Sequence, residues 1–192
     1  THLRITPIEN DVVKYLDMKI PVKKMVGVIG VAPAGDAVNT GTPGKHGGNM
    51  DTIMITEGAT VYFPVAVPGA LFALGDCHAA MGDGEIGVSG LDCPAVVNLT
   101  LDVVKGKAPE YPFLEDKEEF AVLVSRPTID EAVVKATELM FEFLKQRLAS
   151  YSQPEIVMLM SLVGNLQISQ VVDPEKTVRF VFPKRYAQGI KF

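Results

Sequence analysis

The chain has 192 residues, is 47% hydrophobic, and carries a net charge of -5 from 18 Lys and Arg against 23 Asp and Glu. That length suits one domain or a closely joined pair with a sizeable core. The lack of any basic tract argues against nucleic-acid binding, and no apolar run reaches the ~18–20 residues that span a bilayer.

The opening THLRITPIENDVVKY is too polar for a signal peptide. Cys77 and Cys93, outside any CxxC motif, fit reduced thiols. The expectation is a soluble, cytoplasmic protein.

Residues 1–21 are a charged lead-in, in which His2 is isolated. Residues 25–33, MVGVIGVAP, read as a strand. A long Gly-, Pro- and Thr-rich loop follows over 34–48, a length that is often functional. It runs into HGGNMDT, where His46, Asn49 and Asp51 offer polar groups beside glycines that permit close backbone approach. The same residues also suit an ordinary surface loop with Asx turns.

Residues 59–67 and 70–76, separated by Pro68-Gly69, read as strands of a hairpin, with Pro64 marking an edge or bulge. The hairpin ends in the densest chemical stretch of the chain, ALGDCHAAMGDGEIGVSG over residues 73–90. Asp76 and His78 are two apart and so share a strand face, with Cys77 on the other; Asp83 and Glu85 repeat the spacing. If the intervening residues fold back, the carboxylates and the imidazole converge as a ligand set for zinc or a similar divalent ion. The alternative is a glycine-rich hairpin with solvated acids, in which Asp83-Gly84 simply makes a turn.

Residues 95–104, AVVNLTLDVV, alternate as a half-buried strand does, and 106–118 read as a polar connection. Residues 119–125 form another strand. Thr128 and Glu131 then make a capping box, opening an amphipathic helix whose apolar positions keep their period through Leu148. Ser152, Pro154 and Glu155 begin a shorter helix that stops near Gly164, and residues 166–172 and 178–182 close the chain as strands. The fold class is α+β and β-rich: a β-sandwich-like core with two late helices, in the 128–150 and 154–164 regions.

The stretches HGGNMDT, FPVAVPGALFALGDCHAAMGDGEIGVSG and LQISQVVDP, with the preceding GVIGVAPA, resemble the acetamidase/formamidase family. The resemblance implies a metal-dependent amidohydrolase that cleaves short aliphatic amides such as formamide or acetamide to carboxylate and ammonia. It makes Asp76, His78 and Glu85 the metal ligands, Glu85 and Asp51 the catalytic acids, and Asn49 and His46 substrate-binding residues. Zinc is the implied ion, and a second, oxygen-rich calcium site is compatible with the number of acids. Members of the family carry a further N-terminal segment, so residues 1–192 read as a single amidase-like domain lacking it. A homo-oligomer is expected, because strand edges left uncovered need a partner. Two competing readings are a cysteine-nucleophile amidase using Cys77 and a non-catalytic metal- or ligand-binding β-sandwich.

Overall fold

The computed structural model of the protein describes residues 3–187, so His2 lies outside the described residues. The chain forms β1 (Ile8–Glu9), β2 (Val12–Tyr15), β3 (Met18–Pro21), β4 (Met25–Gly30), β5 (Gly47–Asn49), β6 (Thr60–Tyr62), β7 (Ala73–His78), β8 (Phe113–Glu115) and β9 (Glu119–Arg126). Helices α1 (Ile129–Lys145) and α2 (Gln153–Val163) follow, then β10 (Asn165–Gln170) and β11 (Lys176–Pro183). All pairings between these strands are antiparallel: a meander β1-β2-β3, a small sheet β5-β4-β7, and a large sheet β10-β11-β9-β8-β6.

Alternation along β9 and β11 builds two cores. Phe120, Val122, Val124, Val178, Phe180 and Phe182 face the helices, meeting Ala132, Ala136, Met140, Phe143 and Leu144 of α1. Ala121, Leu123 and Val181 face the other way and pack with Met50 and Ile55 and with Val26 and Ile29 of β4. The large sheet thus lies between a helical layer and the small sheet, the expected sandwich with helices on one side. Each fully buried aliphatic or aromatic side chain in these layers contributes roughly 1.5–3 kcal/mol from removal of apolar surface from water.

Both helices begin where the sequence signals them. Thr128 accepts a hydrogen bond from the Glu131 N–H, and Glu155 reaches back to the Ser152 N–H at 2.7 Å. The first helix ends at Lys145, a turn before Leu148, which still packs against the helical core.

Four expectations are corrected. Residues 59–67 and 70–76 do not form a hairpin: β6 pairs with β8 and β7 with β4, so long-range register outweighs the Pro68-Gly69 turn. The polar connection 106–118 contains β8, and residues 8–21 form the meander. Residues 95–104 form no strand; every one of them is exposed, with Val96 at 90% and Leu101 at 65%. Alternation supplies a strand's side chains, but without a neighbouring backbone among the described residues there is no ladder to complete.

Candidate active site

Three segments meet over the small sheet: the end of β7, the residues following β5, and the loop 82–92. Antiparallel register sets Met25 against His78 and Val28 between Asn49 and Gly75. Gly27 of β4 separates two acids, for a Cβ there would collide with Asp51 Oδ1 and lie 2.8 Å from Asp76 Oδ2. Gly90 plays the matching part above the imidazole, where a Cβ would sit 2.6 Å from His78 Nδ1. Only hydrogen at these two positions lets the acids and the ring close up.

Asp51, Asp76 and Glu85 all adopt left-handed backbone, with φ of 42°, 54° and 44°. Residues other than glycine reach that region at a cost, and Glu has less local hydrogen-bonding compensation than Asp. Strain of this kind collected on three neighbouring acids is a signature of functional sites.

His78 is 2% exposed, with different surroundings at its two nitrogens. Nε2 lies 3.2 Å from Asp76 Oδ1 and 3.2 Å from Asp92 Oδ1. Since a carboxylate only accepts, this network assigns the proton to Nε2 and the lone pair to Nδ1. Nδ1 faces Asp51 Oδ1 at 3.9 Å, too far for a hydrogen bond, and is buried without a partner. Both oxygens of Asp51, itself fully buried, are also unpaired.

Glu85 completes this side of the ring. It is 7% exposed, and its Oε1 accepts from the Gly90 N–H at 2.9 Å. One ligand atom each from Asp51, His78 and Glu85 lie within 4.8 Å of one another, as do atoms of Asp76, His78 and Asp92 on the other side of the ring. Burial, with Glu85 and Asp76 nearby, pushes the Asp51 carboxyl up to about 8. Buried, unpaired imidazole and carboxylate atoms this close together form a group able to hold a divalent cation.

The loop bearing Glu85 is tied to the large sheet. Gly84 bridges to Gln170 at the end of β10, with Gly84 N donating to Ser169 O at 2.9 Å. Arg179, 1% exposed on β11, donates to Asp83 at 2.6 Å, to Ser169 Oγ at 3.1 Å and to Gln167 Oε1 at 2.8 Å. Asp83 is therefore bound to Arg179, while Glu85 joins the imidazole.

The structure brings His78 and Glu85 together with Asp51, and sets Asp76 against Nε2 in the second group. Asn49 donates from Nδ2 to Asp173 Oδ2 at 3.0 Å, leaving Oδ1 buried and unpaired. His46 belongs to neither group, and its imidazole lies against Gly44 and Gly48 within its own loop. Cys77 stands across from Val26, whose side chain packs into the inter-sheet core. Cross-strand partners share a face, so the thiol is directed away from the imidazole's partners.

Asp92, Asp173 and Arg179 are the residues that sequence reading missed. Asp173 lies inside LQISQVVDP, so that stretch was a signal for it. Asp92 and Arg179 carried none.

A model of the acetamidase/formamidase family matches residues 19–185. Among curated proteins, the acetamidase of Mycolicibacterium smegmatis is 36% identical over 81 residues, covering 42% of this chain and 20% of that protein. The formamidase of Methylophilus methylotrophus is 34% identical over 79 residues, 41% of this chain and 19% of its own. Among solved structures, the acetamidase of Bacillus halodurans superposes with a TM-score of 0.91 at 47% identity, over 94% of this chain and 61% of that one. The acetamidase of Yersinia enterocolitica gives 0.92 at 28% identity, over 96% and 56%. The matches thus span about a fifth of these curated relatives and less than two thirds of the solved ones.

Proposed function

The chain belongs to the acetamidase/formamidase family, and we propose that it carries the centre of a metal-dependent amidohydrolase converting short aliphatic amides, of the formamide or acetamide kind, to a carboxylate and ammonia. The observation that carries this reading is the buried group of Asp51, His78 and Glu85, with His78 Nδ1 and both Asp51 oxygens unpaired.

Asp51 and His78 Nδ1 would hold a zinc ion, with Glu85 beside them. When bound, such an ion polarises a carbonyl and acidifies water. Asp76 orients the imidazole by accepting from Nε2–H, with Asp92 Oδ1 also 3.2 Å from that nitrogen, the role that partners of a metal-binding histidine commonly fill. Glu85, with one oxygen held by the Gly90 N–H, takes the proton of the attacking water and returns it to the leaving nitrogen. Burial first, and then the neighbouring Glu85 and Asp76, hold the Asp51 carboxyl up at about 8. We also propose a homo-oligomer, supported by the exposed apolar side chains of residues 96–104.

The test is elemental analysis of the purified 192-residue chain together with ammonia release from formamide and acetamide. Bound zinc with turnover is expected, both lost in His78→Ala and both retained in Cys77→Ser. Turnover and metal that survive His78→Ala would overturn the assignment; turnover lost in Cys77→Ser, with metal retained, would favour the thiol nucleophile.

A further inference from the structure

Asn49 ends β5 two residues before Asp51, and its amide group is divided between two surroundings. Nδ2 donates to Asp173 Oδ2 at 3.0 Å, and Oδ1 is buried with no hydrogen-bond partner. A buried carbonyl oxygen left unpaired costs about 1–3 kcal/mol. Native structures retain such a group where a ligand or water satisfies it. An amide side chain can turn over and exchange its two ends, so something must hold this one as it stands.

Asp173 is that restraint. A carboxylate offers only acceptors, so Asn49 must present its NH2 to Asp173, and the carbonyl is forced to the opposite side. Asp173 is held in turn by the turn between β10 and β11. Gln170, fully buried, accepts at Oε1 from the backbone N–H of Val172 at 2.9 Å and of Asp173 at 3.0 Å. Its Nε2 donates to Glu175 O at 2.6 Å and to Thr177 Oγ1 at 3.0 Å. The same glutamine is bridged to Gly84, so one buried side chain locates both the Asp173 turn and the loop that bears Glu85.

Resting on the amidohydrolase reading above, we propose that Asp173 is a positioning residue that locks Asn49 with Oδ1 as the acceptor for the N–H of a primary amide. The site then distinguishes its ligands by what they donate. A primary amide supplies the N–H; an ester, an N,N-disubstituted amide and the carboxylate product do not. Sites built around a buried polar group reject analogues that leave it unpaired far more strongly than an apolar pocket rejects an extra methylene. The same arrangement favours release of the carboxylate once ammonia has left.

The test measures binding rather than turnover. Affinities of acetamide, methyl acetate and N,N-dimethylacetamide for the full chain are compared by saturation-transfer NMR, in the wild type and in Asp173→Ala, Asp173→Asn and Asn49→Leu. Acetamide is expected to bind at least about tenfold more tightly than either analogue in the wild type. Asp173→Ala and Asn49→Leu abolish the preference, and Asp173→Asn, which keeps one acceptor oxygen, retains part of it. Equal affinities in the wild type, no binding of acetamide, or a preference unchanged in Asn49→Leu or in a folded Asp173→Ala would overturn the proposal. Ammonia release is assayed on the same samples. A preserved binding preference with no release of ammonia would refute the hydrolase reading and leave this one standing.

Discussion

Replacing Asp51 by Asn tests the electrostatics of the site without changing its shape. In the ion-free protein the Asp51 carboxyl lies at about 8 against an ordinary 3.8, chiefly through burial and then through Glu85 and Asp76. Below pH 3.8 it is protonated in folded and unfolded chains alike and contributes no pH dependence. Between 3.8 and about 8 the unfolded chain ionises while the folded one keeps its proton, so stability falls as pH rises; above about 8 the penalty is constant. At ~1.4 kcal/mol per tenfold change in proton affinity, the full difference is roughly 5–6 kcal/mol, an upper limit because water and side chains rearrange around an ionised Asp51. Even half of that is a large fraction of a domain's net stability. Urea denaturation in chelator at pH 5 and pH 8.5 should show the wild type losing several kcal/mol and Asp51→Asn losing much less. A residual slope between 3.8 and about 6 should persist in the variant from Asp173, which burial and Glu85 push up to about 6. Added zinc should reverse the order at pH 8.5, stabilising the wild type above Asp51→Asn. Equal pH slopes for the two proteins would refute the reasoning.

Gly90→Ala should push the imidazole aside, costing about 1–3 kcal/mol and weakening zinc about 10–100-fold. Gly87→Ala, where a Cβ meets nothing within 4 Å, is the control that should leave zinc affinity unchanged in the same titration. Asp83→Asn removes the charge facing buried Arg179; with the Asp83 side chain 39% exposed, the loss in urea denaturation should be about 1–2 kcal/mol. Thr128→Ala removes the acceptor at the start of α1 and should lower stability by about 1 kcal/mol in the same assay. Amides of residues 95–104 should exchange with solvent nearly unprotected while those of β9 are retained; protection at both would mean that the exposed stretch has a partner in solution.

Local signals were readable wherever the cause is local. Thr128 and Ser152 mark helix starts because capping needs only the next three residues, and the spacing from Ile129 to Leu144 defines one apolar face without reference to the rest of the chain. Strands β4, β9, β10 and β11 show in their apolar runs, and the crowding of Asp76, His78 and Glu85 in one stretch located the chemistry. Asp83 and Glu85 share a two-residue spacing, yet Gly84 at φ 93° and Glu85 at φ 44° break the alternation, sending one acid to Arg179 and the other to His78. Residues 95–104 carry the alternation of a strand and have no strand to join. Asp51, Asp92 and Asp173 enter the site through strand register, loop closure over Gly90 and a turn held by Gln170. Composition and periodicity by themselves determined which segments could be helix or strand, and which side chains could ligate or move protons. Tertiary structure alone decided which carboxylates face which nitrogen of His78, because that depends on contacts between segments far apart in the chain.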